Sequence, residues 1–145
     1  MRDEQSLESD SPSQDVTSAS PNSSPPVVLL VEDDRSVRRY LEVTLQRSGY
    51  RVIAAGDGLE AMKIAFSAEI DAVVTDAIMP HLSGQQLAGF LRSNPKLSSI
   101  PIVLLTGQEN KAAAIPADAS IDAFLYKPVK AEELKNCLTK LLSRD

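Results

Sequence analysis

The sequence predicts an α/β fold, a doubly wound parallel sheet of five strands covered by helices on both faces. Three observations predict it. From Val27 on, short apolar runs alternate with amphipathic segments. The runs are almost uninterrupted in apolar residues, as in strands buried on both faces, and do not alternate apolar with polar. Three of them end in charge, at Glu32-Asp33-Asp34, at Asp76 and at Lys127. The carboxyl edge of an open parallel sheet is where ligands bind. A strand–helix–strand order at this spacing also implies right-handed crossovers.

Residues 27–32 (Val27-Val28-Leu29-Leu30-Val31-Glu32) read as the first buried strand. Residues 35–48 read as a helix, with Val37, Tyr40, Leu41, Thr44 and Leu45 on one face at three- and four-residue spacing. Gly49 supplies its C-terminal stop. Residues 51–55 are the second strand, and Gly56-Asp57-Gly58 is a turn from which Asp57 or Gly58 starts a helix over 58–68. Leu59, Met62, Ile64, Ala65 and Phe66 are the apolar set of that helix. Residues 71–75 are the third strand. A helix runs from Ser83 or Gly84 to about Asn94, where Pro95 ends it. Residues 101–105 are the fourth strand. Residues 108–118 form a weak helix, because Pro116 lies inside it. Residues 121–126 are the fifth strand. The last helix covers 131–143, with Leu134, Leu138, Leu141 and Leu142 turned to the sheet.

Residues 1–26 precede this pattern as an acidic, serine- and proline-rich tail. Eight serines and four prolines with few apolar residues cannot offset the entropy of ordering, so the tail is expected to be disordered. It carries a net charge of −4 of the chain's −5, which leaves residues 27–145 close to neutral. A near-neutral domain without a basic stripe is not built to bind nucleic acid directly. No apolar stretch is long enough to span a membrane, and the N-terminus is not a secretory signal. A lone cysteine, Cys137, allows no intrachain disulfide and suits a reducing cytoplasm. It sits among leucines and reads as a small core residue.

Taken singly, the charged residues have modest explanations. Asp34 suits an N-cap, Asp76 a strand end, Thr106 a turn and Lys127 the surface. Taken jointly on parallel strands, the carboxylates of Glu32, Asp33, Asp34 and Asp76 meet the amine of Lys127 on one edge. Crowded carboxylates repel, and a divalent cation is the natural way to neutralise them.

This joint pattern resembles the receiver domain of two-component response regulators. It is carried by Val31-Glu32-Asp33-Asp34, by Asp76 with Met79-Pro80 and Gly84, by Leu105-Thr106-Gly107 and by Phe124-Leu125-Tyr126-Lys127-Pro128. The spacings agree: 43 residues from Asp33 to Asp76, 30 on to Thr106 and 21 on to Lys127. The resemblance covers residues 27–143, within a receiver domain taken as 27–145. It implies a (βα)5, flavodoxin-like sheet in the order 2-1-3-4-5.

It also implies roles. Asp76 would be the phosphoacceptor, a carboxylate nucleophile forming an acyl phosphate. Asp33, Asp76 and the backbone carbonyl of Ile78 would bind Mg²⁺, with Glu32 acting through a metal-bound water. Few protein ligands and several waters suit that ion. Lys127 would pair with the phosphate, followed by a cis bond to Pro128, and Thr106 would donate its hydroxyl to a phosphate oxygen. Phe124 would be the switch aromatic, although the residues themselves allow permanent core at that position. The phosphoryl group would come from a histidine kinase or a phosphotransfer protein. The signal would pass by docking to a downstream protein whose identity the sequence does not give.

The protein would not be a conventional enzyme, catalysing only its own phosphorylation and dephosphorylation. Pro116 departs from the pattern and is expected to shorten or break its helix. Ile78 and Gln108, at positions that tune phosphate loss, are expected to alter its rate. His81 reads as a surface residue. Two other functions compete: a receiver-like binding module that is never phosphorylated, and a Mg²⁺-dependent phosphatase. The phosphatase would need a second acid two residues after Asp76, where Ile78 stands.

Overall fold

The computed structural model describes residues 24–107 and 120–143. The expected helix over 108–118, with Gln108 and Pro116, lies outside the described residues, as do residues 1–23 of the tail. Five strands are present: β1 (Val27–Val31), β2 (Arg51–Ala55), β3 (Ala72–Asp76), β4 (Ile102–Thr106) and β5 (Ala123–Tyr126). They form one sheet in the order β2-β1-β3-β4-β5, every neighbouring pair parallel. The described helices are α1 (Arg35–Arg47), α2 (Gly58–Ser67), α3 (Gly84–Arg92) and α4 (Ala131–Leu142).

Side chains alternate across the pleat, so each strand feeds two cores. Leu29, Val73, Ile102 and Leu104 face one layer with Ala61 and Ala65 of α2 and Leu87, Ala88 and Leu91 of α3. Val28, Leu30, Val74, Val103 and Leu105 face the other, with Leu41 and Leu45 of α1 and Leu134 and Leu138 of α4. Burying β1, β3 and β4 on both faces is why their sequences lack polar alternation.

The helix ends follow their caps. Asp34 accepts from the Val37 amide at 2.9 Å to open α1, and Gly49 closes it at φ 97°. Asp57 accepts from the Glu60 amide at 2.8 Å at the start of α2. Ser83 and Gln86 make a reciprocal capping box on α3.

Two helix faces differ from expectation. Tyr40 is half exposed, with its hydroxyl 3.4 Å from the Val129 carbonyl oxygen. In α2, Leu59 and Phe66 are exposed while Gly58, Ala61 and Ala65 are buried. Gly58 lies against Leu82, Ala61 and Ala65 pack into the core, and Met62 and Ile64 pack partly buried beside them. β3 also runs one residue further than predicted, so Asp76 is its last member. Cys137 is half-buried against the α1/α4 core, as expected of a packing residue, and burial pushes its thiol pKa up.

Candidate functional site

The charged residues singled out from the sequence meet at the C-terminal edge of the sheet. Glu32 follows β1 and is held by its backbone. Its amide donates to the Ala55 carbonyl at 3.1 Å, and its own carbonyl accepts from Arg38 Nη1 at 2.8 Å. This fixes its carboxylate inward, at 1% exposure. Asp76 closes β3, the strand between β1 and β4, and is buried. Asp33 lies in the exposed turn before α1. Carboxylate oxygens of Glu32, Asp33 and Asp76 all lie within 4.8 Å of one another.

Lys127 leaves β5 and reaches into this cup. Its ammonium donates to Glu32 Oε1 at 2.9 Å and lies 3.2 Å from Asp76 Oδ2. The other Glu32 oxygen, Oε2, accepts from the Asp34 amide at 3.1 Å. The Lys127–Pro128 bond is cis. The backbone amide of Lys127 donates to the Thr106 carbonyl at 2.7 Å, which sets the ends of β4 and β5 side by side. Thr106 is buried at the end of β4, one residue past Leu105, the register partner of Asp76.

Burial raises the Glu32 pKa above 4.5. The hydrogen bonds from Lys127 and the Asp34 amide work against that rise, and the charge of Asp76 adds to it. For Lys127, burial pulls the pKa down. The hydrogen bond to Glu32 and the charges of Asp76 and Glu32 outweigh it, so the net shift is upward from 10.5. Glu32 is the more deeply buried partner, so desolvation wins for the acid and loses for the lysine.

Glu32, Asp33, Asp76 and Lys127 are therefore brought together, while the Asp34 carboxylate, expected on the same edge, turns to cap α1. Phe124 is half-buried and packs against the α2/α3 core. The side chain of Ile78 is 62% exposed in the loop after β3. His81 is exposed with φ 71°, in keeping with a surface turn residue.

Two features escaped sequence reasoning. Arg38 braces the Glu32 backbone, and its spacing in α1 looks like that of any solvated arginine. A cleft of about 610 Å³ beside Lys127 is lined by Ser36, Val37, Tyr40 and Val129, among others. Its walls come from segments far apart in the sequence, and Tyr40, which lines it, was expected on the packed face of α1.

The backbone around Asp76 explains a glycine. Gly84 opens α3 with its amide donating to the Ala77 carbonyl at 2.9 Å. A Cβ there would stand 2.3 Å from the Asp76 carbonyl oxygen and 2.6 Å from Leu104 Cδ1.

Comparison with known proteins supplies the context of this site. A family model described as the response regulator receiver domain matches residues 28–139. The response regulator MprA of Mycobacterium ulcerans (strain Agy99) is 38% identical over 118 residues, covering 81% of this chain and 50% of the relative. The chain thus spans about half the length of the curated relatives it matches. A putative response regulator from Chloroflexus aurantiacus superposes with a TM-score of 0.77 at 31% identity, covering 83% of this chain and 99% of that one. The receiver domain of the sensor histidine kinase PA1611 from Pseudomonas aeruginosa PAO1 has a TM-score of 0.75 at 28% identity. That match covers 83% of this chain and 100% of the other, whose active site cleft coordinates a magnesium ion. Among the described residues here, no helix is long and apolar enough to cross a membrane.

Proposed function

The chain belongs to the response regulator receiver domain family of two-component signalling, and on that premise we propose that it is a switch phosphorylated on Asp76. The observation that carries the reading is the cup itself: three carboxylates within 4.8 Å of one another, with one ammonium 3.2 Å from Asp76. The unit so defined is residues 27–145, with residues 1–26 as a leader.

Glu32, Asp33 and Asp76, with the backbone carbonyl of Ile78, fit a hard divalent cation by donor type, and they would hold Mg²⁺. When bound, the ion supplies charge that offsets the oxygens of the transferring phosphoryl group. The remaining chemistry belongs to the chain. An Asp76 carboxylate oxygen forms a bond to phosphorus as the donor's bond to phosphorus breaks. The leaving group departs with that electron pair, as an imidazole when the donor is a phosphohistidine. Lys127 trades its carboxylate partners for phosphoryl oxygens, as a point charge on a flexible stem. The Thr106 hydroxyl donates to another of those oxygens, and Phe124 follows the movement of Thr106.

The donor is a histidine kinase or a phosphotransfer protein, and the apolar cleft beside Lys127 offers it a seat next to Asp76. The output is docking to a downstream protein, in the cytoplasm, without direct contact to nucleic acid. Catalysis is confined to the chain's own phosphorylation and dephosphorylation.

The test is direct. With acetyl phosphate and Mg²⁺, intact-protein mass spectrometry should show one added phosphoryl group on the wild type and none on Asp76→Asn. A folded wild type that stays unlabelled under these conditions would refute the reading. Partner binding that survives Asp76→Asn unchanged would favour an unphosphorylated binding module instead.

A further inference from the structure

The site depends on Lys127, and Lys127 depends on the register of β5. That strand is an edge, four residues long, with none of its side chains fully buried. Its sequence, Ala-Phe-Leu-Tyr, is apolar at every position, so alternation does not strongly favour one register over the next. A slip of one residue would move Lys127 by about 3.3 Å along the strand and turn its side chain to the other face. The contacts to Glu32 at 2.9 Å and Asp76 at 3.2 Å would then be lost.

Besides the Lys127 amide bond to Thr106 at the site end, a set of side-chain contacts at the opposite end of the sheet holds this register. The amide of Asp122 donates to the Ile102 carbonyl at 2.9 Å, and Asp122 Oδ2 accepts from the Ile102 amide at 2.8 Å. This couples the residue before β5 to the first residue of β4. Arg92, the last residue of α3, completes the arrangement. Its Nη2 donates to the same Asp122 oxygen at 2.7 Å and its Nε to the Ser120 carbonyl at 3.1 Å. Its Nη1 donates to the carbonyls of Ser98 at 3.0 Å and Ile100 at 2.7 Å. One guanidinium thus joins the end of α3, the turn before β4 and the turn before β5. A rigid planar fork can do this, and a lysine cannot.

We propose that Arg92 and Asp122 form a register clamp on β5 and act as positioning residues that deliver Lys127 to the phosphoacceptor cup. The metal-site carboxylates come from the turn after β1 and the end of β3, so the clamp governs Lys127 without governing the acids.

That separation makes the clamp testable, and the rate measurements rest on the proposed phosphorylation of Asp76. Arg92→Met should slow labelling by acetyl phosphate about tenfold, the scale of loss from a small misplacement. Mg²⁺ affinity by calorimetry should not fall below that of wild type, because the acids stay in place and a displaced Lys127 no longer competes for two of them. In a Lys127→Ala background the same change should alter the residual rate by less than about twofold, because the positioned group is already gone. Arg92→Lys should recover only part of the loss. Asp122→Asn, a milder change, should reproduce the pattern if Arg92→Met does not fold.

Amide hydrogen exchange supplies a measurement that needs no phosphorylation. The Lys127 amide should exchange about tenfold faster in Arg92→Met, with the β1 and β2 amides unchanged. Retained protection of Lys127, an equal rate loss in both backgrounds, or full recovery by Arg92→Lys would overturn the clamp. Failure of the wild type to label would refute the phosphorylation reading and leave exchange to decide the clamp.

Discussion

Replacing Lys127 by methionine will cost the metal-free protein about 3 kcal/mol of folding stability, and saturating Mg²⁺ will restore most of it. Methionine keeps the apolar stem that lysine packs through the protein, so the change isolates the ammonium. In its absence Glu32, 1% exposed, and Asp76, 7% exposed, face each other with no cation. Removing one member of a buried ionic group costs about 3–5 kcal/mol because charge is left uncompensated. Protonation caps that loss. At pH 7 a carboxyl with the ordinary pKa of 4.5 takes up a proton for about 3.4 kcal/mol. The Glu32 pKa is already raised in the folded protein, so less is needed.

The same cap fixes the pH dependence. A carboxyl whose folded pKa lies above its unfolded value gives stability that is fully present below 4.5 and lost as pH rises through the folded pKa. Losing the Lys127 charge raises the folded value further. The deficit of the variant should therefore narrow as pH falls from 7 toward 4.5. Urea unfolding in chelator and in Mg²⁺, across that range, measures all of this. A variant as stable as wild type in chelator, or one that Mg²⁺ stabilises no more than wild type, would show that Lys127 does not serve as the counter-ion of Glu32 and Asp76.

That pairing was not legible in the sequence, although each of its members was. Strand-end positions placed Glu32, Asp33, Asp76 and Lys127 on one edge, because apolar runs mark parallel strands and a parallel sheet gathers their ends. Which charge touches which depends on what fills the cup, and spacing carries no information about that. The helix faces show a second limit. In α2 the hydrophobicity pattern placed Met62, Ile64 and Ala65 correctly against the core but also favoured Leu59 and Phe66, which are exposed, and passed over the buried Ala61 and Gly58. Arg92 shows a third. Its partners at Ser98, Ile100 and Ser120 are backbone carbonyls, which any residue offers, so its role appears only once two turns are placed around it.

Gly84→Ala will destabilise the protein by about 3 kcal/mol, the upper end for overpacking, while Gly89→Ala will stabilise it by about 0.8 kcal/mol. Both glycines lie in α3, and helix propensity by itself would make both changes favourable. Surroundings separate them. Around Gly89 no heavy atom beyond its chain neighbours and its own helix backbone lies within 4 Å of an added Cβ, so alanine gains helix propensity without a clash. At Gly84 the added atom meets the Asp76 carbonyl oxygen at 2.3 Å and Ala77 Cα at 3.2 Å, both backbone. Backbone of a central strand cannot step aside as a flexible side chain can. The N-terminus of α3 must instead move away from the end of β3, taking with it the loop that carries Ile78. The cost thus falls on the peptide that aims Asp76, and phosphorylation should slow along with the loss of stability. Paired thermal and urea melts of the two variants, with labelling rates measured well below the melting temperature, test the argument. Opposite signs are what the geometry demands; two alanines of the same sign would mean that propensity, and not the contact beside Asp76, decides this helix.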